Sequence, residues 1–247
     1  MNIKQYLDST YLKTASQAGI SEEENTVVVK NAIAEAIKEQ FKLIMIRPEY
    51  VALAKEMILK ADSTLLVGTV IDFPQGTSSL ETKIKEANEA IENGADDLDF
   101  VCNYEAFKNG DISLVKEEVL IGTQIGLAKN KTVKWIIEVA ALTDKEIIQL
   151  SALIKNVIIS HFKEDDYASV FVKSSTGFYK TENNLPNGAT IPSIIMMLEN
   201  ASPLPVKAAG GVRSYEDAIE MIRLGVKRIG TSAAKTIADG KNTSNQY

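Results

Sequence analysis

The chain has 247 residues, 45% of them hydrophobic and 24% charged, and 27 basic against 33 acidic side chains give it a net charge of −6. That balance offers neither nucleic acid nor an acidic membrane surface any overall attraction. A single cysteine, Cys102, excludes an intrachain disulfide, and no apolar run reaches membrane-spanning or signal-peptide character, so a cytoplasmic protein is predicted.

In chain order, residues 6–12 form a weak first-strand candidate, followed by a helical period over 26–39 and an apolar run at 42–46. A second run at 64–71 precedes a predicted helix over 79–93, opened by Ser79 and closed before Gly94. Strand-like runs follow at 98–101 and 133–139, and then Thr143-Asp144-Lys145-Glu146 has the spacing of a capping box. The remaining runs are 169–172, 204–206 and 228–230, with a helix from Ser214 to Gly225 before the last. Near-continuous apolar strands alternating with helices suit parallel strands covered on both faces, and eight of them describe a (β/α)8 TIM barrel over 1–237. An open doubly wound sheet is the competing fold, but its G-x-G-x-x-G turn is absent. Residues 238–247 read as a polar, mobile C-terminal tail.

Barrels gather their reacting groups at the C-terminal strand ends, and four candidates fall there or on the inward strand face just below: Asp99, within its strand, and Glu138, Lys173 and Lys207. Lys173 and Lys207 each close an apolar run on neighbouring strands. A buried lysine beside a second cation loses its proton more readily and becomes a nucleophile able to form Schiff bases. A lysine that merely reaches from a strand end into water is the plainer reading of either one alone. Asp97 and Asp99 share a strand face, the sole hint of a metal site, and the single histidine, His161, lacks ligand partners. The turns containing Gly177, Gly210-Gly211 and Gly230-Thr231-Ser232 have the glycine and hydroxyl content of phosphate cradles, although ordinary βα turns share it.

Six segments, in order along nearly the whole chain, resemble the deoxyribose-phosphate aldolase family. They are Leu7-Asp8-Ser9-Thr10-Tyr11-Leu12-Lys13, Thr69-Val70-Ile71-Asp72-Phe73-Pro74-Gln75-Gly76 and Gly94-Ala95-Asp96-Asp97-Leu98-Asp99, then Phe171-Val172-Lys173-Ser174-Ser175-Thr176-Gly177-Phe178, Val206-Lys207-Ala208-Ala209-Gly210-Gly211-Val212-Arg213 and Arg228-Ile229-Gly230-Thr231-Ser232. The resemblance implies a class I aldolase without metal or organic cofactor, reversibly cleaving 2-deoxy-D-ribose 5-phosphate to acetaldehyde and D-glyceraldehyde 3-phosphate in deoxyribonucleotide catabolism. Its partners would be a sugar phosphate and an aldehyde, with a homodimer left open. By position, Lys173 matches the Schiff-base lysine, Lys207 the lysine that perturbs it and Asp99 the proton-relay carboxylate. Gly177, Gly210, Gly211, Gly230 and Ser232 match the phosphate cradle, and Tyr247 a terminal tyrosine implicated in proton transfer in one branch. Ser9, Asp72 and Met45 depart from the usual histidine, glycine and cysteine, and Asp72 is expected to bring a negative charge near the site. The rival readings are another lysine-dependent barrel, such as a different class I aldolase or a thiazole synthase, and a non-catalytic sugar-phosphate-binding barrel.

Overall fold

A computed structural model describes residues 1–182 and 185–240. Its strands are β1 (Leu7–Tyr11), β2 (Leu43–Ile46), β3 (Leu66–Ile71), β4 (Asp97–Val101), β5 (Thr132–Ile136), β6 (Val170–Lys173), β7 (Val206–Ala209) and β8 (Arg228–Thr231). All pair in parallel with their sequence neighbours, and β8 returns to β1 to close the barrel. Around it lie α1 (Ala15–Ala18), α2 (Glu22–Glu39), α3 (Val51–Lys60), α4 (Leu80–Glu92), α5 (Tyr104–Lys108), α6 (Ile112–Ala128), α7 (Asp144–His161), α8 (Ile191–Ala201), α9 (Tyr215–Leu224) and α10 (Ala234–Ala238).

The local signals explain where the helices begin. Thr143 caps α7 through the Glu146 backbone while Glu146 returns the bond, and Ser79 and Ser214 cap α4 and α9. The apolar period at 26–39 misses the first turn of α2, because Glu22–Glu24 belong to a capping box on Ser21 rather than to the buried stripe. At the other end of α7, the exposed His161 is the last helical residue, away from any site.

Alternation along the strands divides the apolar residues into two layers. Ile44, Val67, Phe100, Trp135, Val172 and Ile229 join the large shell between sheet and helices. Leu43, Met45 and Val70 face the barrel interior, where with Leu12 they form a small separate cluster. Met45, in place of the family's frequent cysteine, therefore belongs to an inner apolar wall. Ser9 follows Leu7 outward by the same alternation, so its exchange for histidine touches no inward group.

On β5 the outward residue is Trp135, stacked on Phe100 at 4.8 Å and donating from its indole to Thr123 Oγ1 at 3.0 Å. A Cβ on Gly122 would lie 2.8 Å from the Trp135 ring, so α6 approaches β5 as only glycine permits. Locking Trp135 outward turns its neighbour Lys134 inward. The fifth strand is shorter than its apolar run: it ends at Ile136, and Glu138 stands in a left-handed turn at φ 57°.

Candidate active site

Strand register places Lys173 beside Lys207 and Lys207 beside Arg228, while Asp99 lies beside Lys134. Charged side chains thus point inward from β1 and from β4 to β8, while β2 and β3 present an apolar wall. Asp99 sits at the centre and is fully buried. Its Oδ2 accepts from Lys173 Nζ at 2.8 Å and from Lys207 Nζ at 2.9 Å, and its Oδ1 from Lys134 Nζ at 2.8 Å. The two lysines inferred from sequence therefore converge on one carboxylate oxygen.

Lys134 is absent from the sequence candidates, because it interrupts an apolar run without glycine, hydroxyl or strand-end context. It also bonds Asp97 Oδ2 at 2.6 Å, so an ammonium occupies the space between the two carboxylates that the sequence left open to a metal. Two further residues, Asp8 and Arg228, fall in the family-like segments but carry no assigned role in the sequence, because their partners lie on distant strands. Arg228 Nε donates to Asp8 Oδ1 at 2.7 Å, and Asp8 Oδ2 lies 2.6 Å from Lys207 Nζ.

These contacts set the protonation states. Burial alone would raise the Asp99 pKa, but the ammonium groups of Lys134, Lys173 and Lys207 outweigh it and hold the carboxyl well below its ordinary range. Lys173 is lowered to about 8, first by burial and then by Lys207, with Asp99 opposing. Desolvation is thus the larger cause and the second lysine the smaller. Lys207 itself goes the other way, because Asp8 and Asp99 overcome its burial and raise it.

Above this cluster opens a cavity of about 550 Å³, lined by Lys173 and by residues of the loops after β1, β6, β7 and β8. Gly177, Gly210, Gly211, Gly230 and Ser232 all line it, and so do Lys13 and Arg213, two cations to which the sequence assigned no role. Gly210 and Gly211 have φ of +79° and +87°, a left-handed pair that L side chains adopt with strain. Gly188, in the loop before α8, packs on Gly210 so closely that a Cβ would lie 2.5 Å from that backbone, and the Ala189 amide donates to the Gly210 carbonyl at 2.9 Å. The Asn187-Gly188 dipeptide was the available sequence signal. Gly230 has a different reason to be glycine. It lies within β8 rather than in the turn after it, and a Cβ there would stand 3.1 Å from Lys207 Cε.

Glu138 does not reach Lys173 as a direct partner. It accepts from Ser175 Oγ at 2.8 Å, from the Thr176 amide at 3.1 Å and from Thr176 Oγ1, clamping the turn after β6. Burial raises its pKa despite these bonds. Asp72 also differs from expectation, since it does not line the cavity. Its carboxylate accepts from the Ser78 amide at 2.9 Å and lies 3.5 Å from the buried Lys83, which pairs with Glu118 at 2.9 Å. The charge belongs to the anchor of the β3–α4 loop, which carries Phe73 into edge contact with Phe178. Tyr247 lies outside the described residues.

A buried lysine with a lowered pKa, a carboxylate shared between two lysines and a glycine-lined cavity at the C-terminal mouth of a parallel barrel are the features of a class I, Schiff-base aldolase. The comparisons with known proteins agree. Residues 5–243 match the DeoC/LacD family aldolases, and the chain belongs to that family. It is 38% identical to a deoxyribose-phosphate aldolase of Caldicellulosiruptor saccharolyticus over 95% of this chain and 96% of that one. A deoxyribose-phosphate aldolase of Staphylococcus saprophyticus is also 38% identical, over the full length of both. Among solved structures, the tetrameric deoxyribose phosphate aldolase of Aeropyrum pernix superposes with a TM-score of 0.76 at 27% identity, covering 96% of this chain and 89% of its own.

Proposed function

We propose that the chain catalyses the reversible cleavage of 2-deoxy-D-ribose 5-phosphate to acetaldehyde and D-glyceraldehyde 3-phosphate, with Lys173 as the covalent nucleophile. The observation that carries this reading is Lys173 Nζ itself, buried, lowered to about 8 and lining the cavity while bonded to Asp99. The neutral amine attacks C1 of the open-chain aldehyde, and loss of water from the carbinolamine leaves an iminium. A proton leaves the C3 hydroxyl, the C2–C3 bond breaks, and its electron pair enters the iminium to form an enamine as glyceraldehyde 3-phosphate departs. Protonation at C2 and addition of water then release acetaldehyde and the free amine. Asp99, ionised at neutral pH, accepts protons through a water, and Lys207, held protonated, returns them.

Lys13 and Arg213, together with the turns at Gly177, Gly210-Gly211 and Ser232, supply the charge and small-residue rim that a phosphate requires. A non-catalytic sugar-phosphate binder would have no use for an amine titrating near 8. Borohydride reduction in the presence of acetaldehyde, followed by peptide mass mapping, should label Lys173 and nothing else. Label at Lys207, or no label, would refute the assignment.

A further inference from the structure

Six of the buried charges beneath the cavity form a closed ring. The Arg228 guanidinium lies 2.6 Å from Asp8 Oδ1, Asp8 Oδ2 lies 2.6 Å from Lys207 Nζ, and Lys207 Nζ lies 2.9 Å from Asp99 Oδ2. The path continues from Asp99 Oδ1 to Lys134 Nζ at 2.8 Å, on to Asp97 Oδ2 at 2.6 Å, and back to Arg228 at 3.3 Å. Positive and negative groups alternate around it, three of each, so the ring sums to zero. Lys173 hangs from Asp99 Oδ2 as a seventh group, and among the described residues it alone of the seven lines the cavity.

We propose that Arg228 and Asp97 are positioning residues for the aldolase reaction, whose opposite charges close and balance this ring and so leave Lys173 as the one surplus charge of the cluster. The inference rests on the reading of Lys173 as the nucleophile. In a poorly solvated interior an uncompensated charge is costly, whereas a paired and hydrogen-bonded set is tolerated. With the amine neutral the seven groups sum to zero, and with it protonated they sum to plus one. The balance therefore favours proton loss from Lys173, the only member with an exit to the cavity.

The groups facing Lys173 from the surrounding elements are few. β4 supplies Asp99, β5 supplies Lys134, and β7 supplies Lys207. Asp8 of β1 and Arg228 of β8 act from behind Lys207, while Lys13 and Arg213 line the cavity mouth. Glu138, past the end of β5, is already engaged by Ser175 and Thr176, and β2 and β3 present Leu43, Met45 and Val70. A purely structural filling of the interior needs no such ring, since well-packed apolar side chains serve at least as well as buried ion pairs. The interior beside β2 and β3 is built that way.

Three substitutions test the proposal in the intact chain, each read as the pH dependence of reductive labelling of Lys173 by acetaldehyde and cyanoborohydride. Arg228→Met removes a cation, so the midpoint should rise, and labelling at pH 6 should slow about tenfold for every pH unit the midpoint climbs. Asp97→Asn removes an anion, so the midpoint should fall and labelling at pH 6 quicken by a comparable factor. Arg228→Lys keeps the charge and should return the midpoint toward that of the wild type. The double variant Arg228→Met/Asp97→Asn deletes one charge of each sign, and it keeps the test decisive where a single variant fails to fold. Its midpoint should match wild type. Single-variant midpoints that move together or not at all, or a displaced midpoint in the double variant, would overturn the role of the ring. Failure to label Lys173 in the wild type would instead refute the nucleophile assignment.

Discussion

An ordinary lysine is neutral at pH 7 in roughly one molecule in three thousand, whereas one titrating near 8 is neutral in about one in eleven. Lys173 falls in the second group because burial and Lys207 together exceed the pull of Asp99. The sign of each contribution makes Asp99→Asn informative. Losing the carboxylate removes the one large influence that raises the Lys173 pKa, so imine formation should persist and its acid limb should shift to lower pH. The same change removes the proposed proton acceptor, and cleavage of deoxyribose phosphate should fall by about 10²–10⁴-fold. Parallel measurement of reductive labelling and of glyceraldehyde 3-phosphate release checks both. Near-normal cleavage would show that another group carries the proton. Asp99, Lys173 and Lys207 were legible in the sequence because a charge inside or closing an apolar run is conspicuous. Lys134 and Asp8 lie inside strands and Arg228 opens one, but their partners lie on other strands, and only barrel closure shows what they do.

The elements that shape the cavity are turns, and glycine serves two purposes in them. A Cβ on Gly211 would have no neighbour nearer than 3.8 Å, so the constraint there is the φ of +87° that the turn after β7 imposes. Gly230 sits in a regular strand, and its constraint is the 3.1 Å clearance to Lys207 Cε. The two should therefore fail differently. Gly211→Ala should raise KM for deoxyribose 5-phosphate far more than for unphosphorylated deoxyribose, with the labelling midpoint of Lys173 unchanged. Gly230→Ala should displace Lys207, depress kcat on both substrates alike and move that midpoint. Steady-state kinetics on the two sugars decide the matter, and a phosphate-selective loss in Gly230→Ala would return that residue to the phosphate cradle. The turn after β6 depends on Glu138, whose carboxylate gathers Ser175 and Thr176. From sequence it reads as a strand-end acid, because nothing in the run 133–139 reveals the left-handed turn at Glu138 that ends β5 early.

At the scale of the molecule, the site is a standing cost to the fold. A lysine whose folded pKa is about 8, against 10.5 in the unfolded chain, disfavours folding wherever the unfolded chain is protonated. The sign follows directly: the penalty is complete below pH 8, shrinks as pH rises from 8 to 10.5, and is absent above. Its size at neutral pH is up to about 3 kcal/mol. Lys173→Met, which removes the proposed nucleophile, should accordingly be more stable than wild type at pH 7, with the advantage narrowing at pH 10. Denaturant melts at the two pH values check this, and a destabilised variant at pH 7 would mean that the bond to Asp99 is worth more than the buried charge costs. Asp8 and Asp99 have the opposite linkage, since their lowered pKa values stabilise the fold above about 3.8 and lose that effect as pH falls further.

By itself the amino-acid sequence determined the alternation of apolar strands and capped helices, hence the barrel, since period, capping boxes and glycine stops are local properties read from a few adjacent residues. It also made Lys173 and Lys207 conspicuous, because each closes an apolar run and is followed by small residues, although in the structure only Lys173 ends its strand and Lys207 is the second residue of β7. Tertiary structure alone decided which charges share a space. Asp8 and Arg228 stand at opposite ends of the chain, yet they meet because β8 pairs with β1. Asp72, beside the mouth in sequence order, is drawn away by Lys83, which Glu118 holds in place. Electrostatic energy depends on separation in three dimensions and on access to water, and neither quantity exists until the sheet has closed.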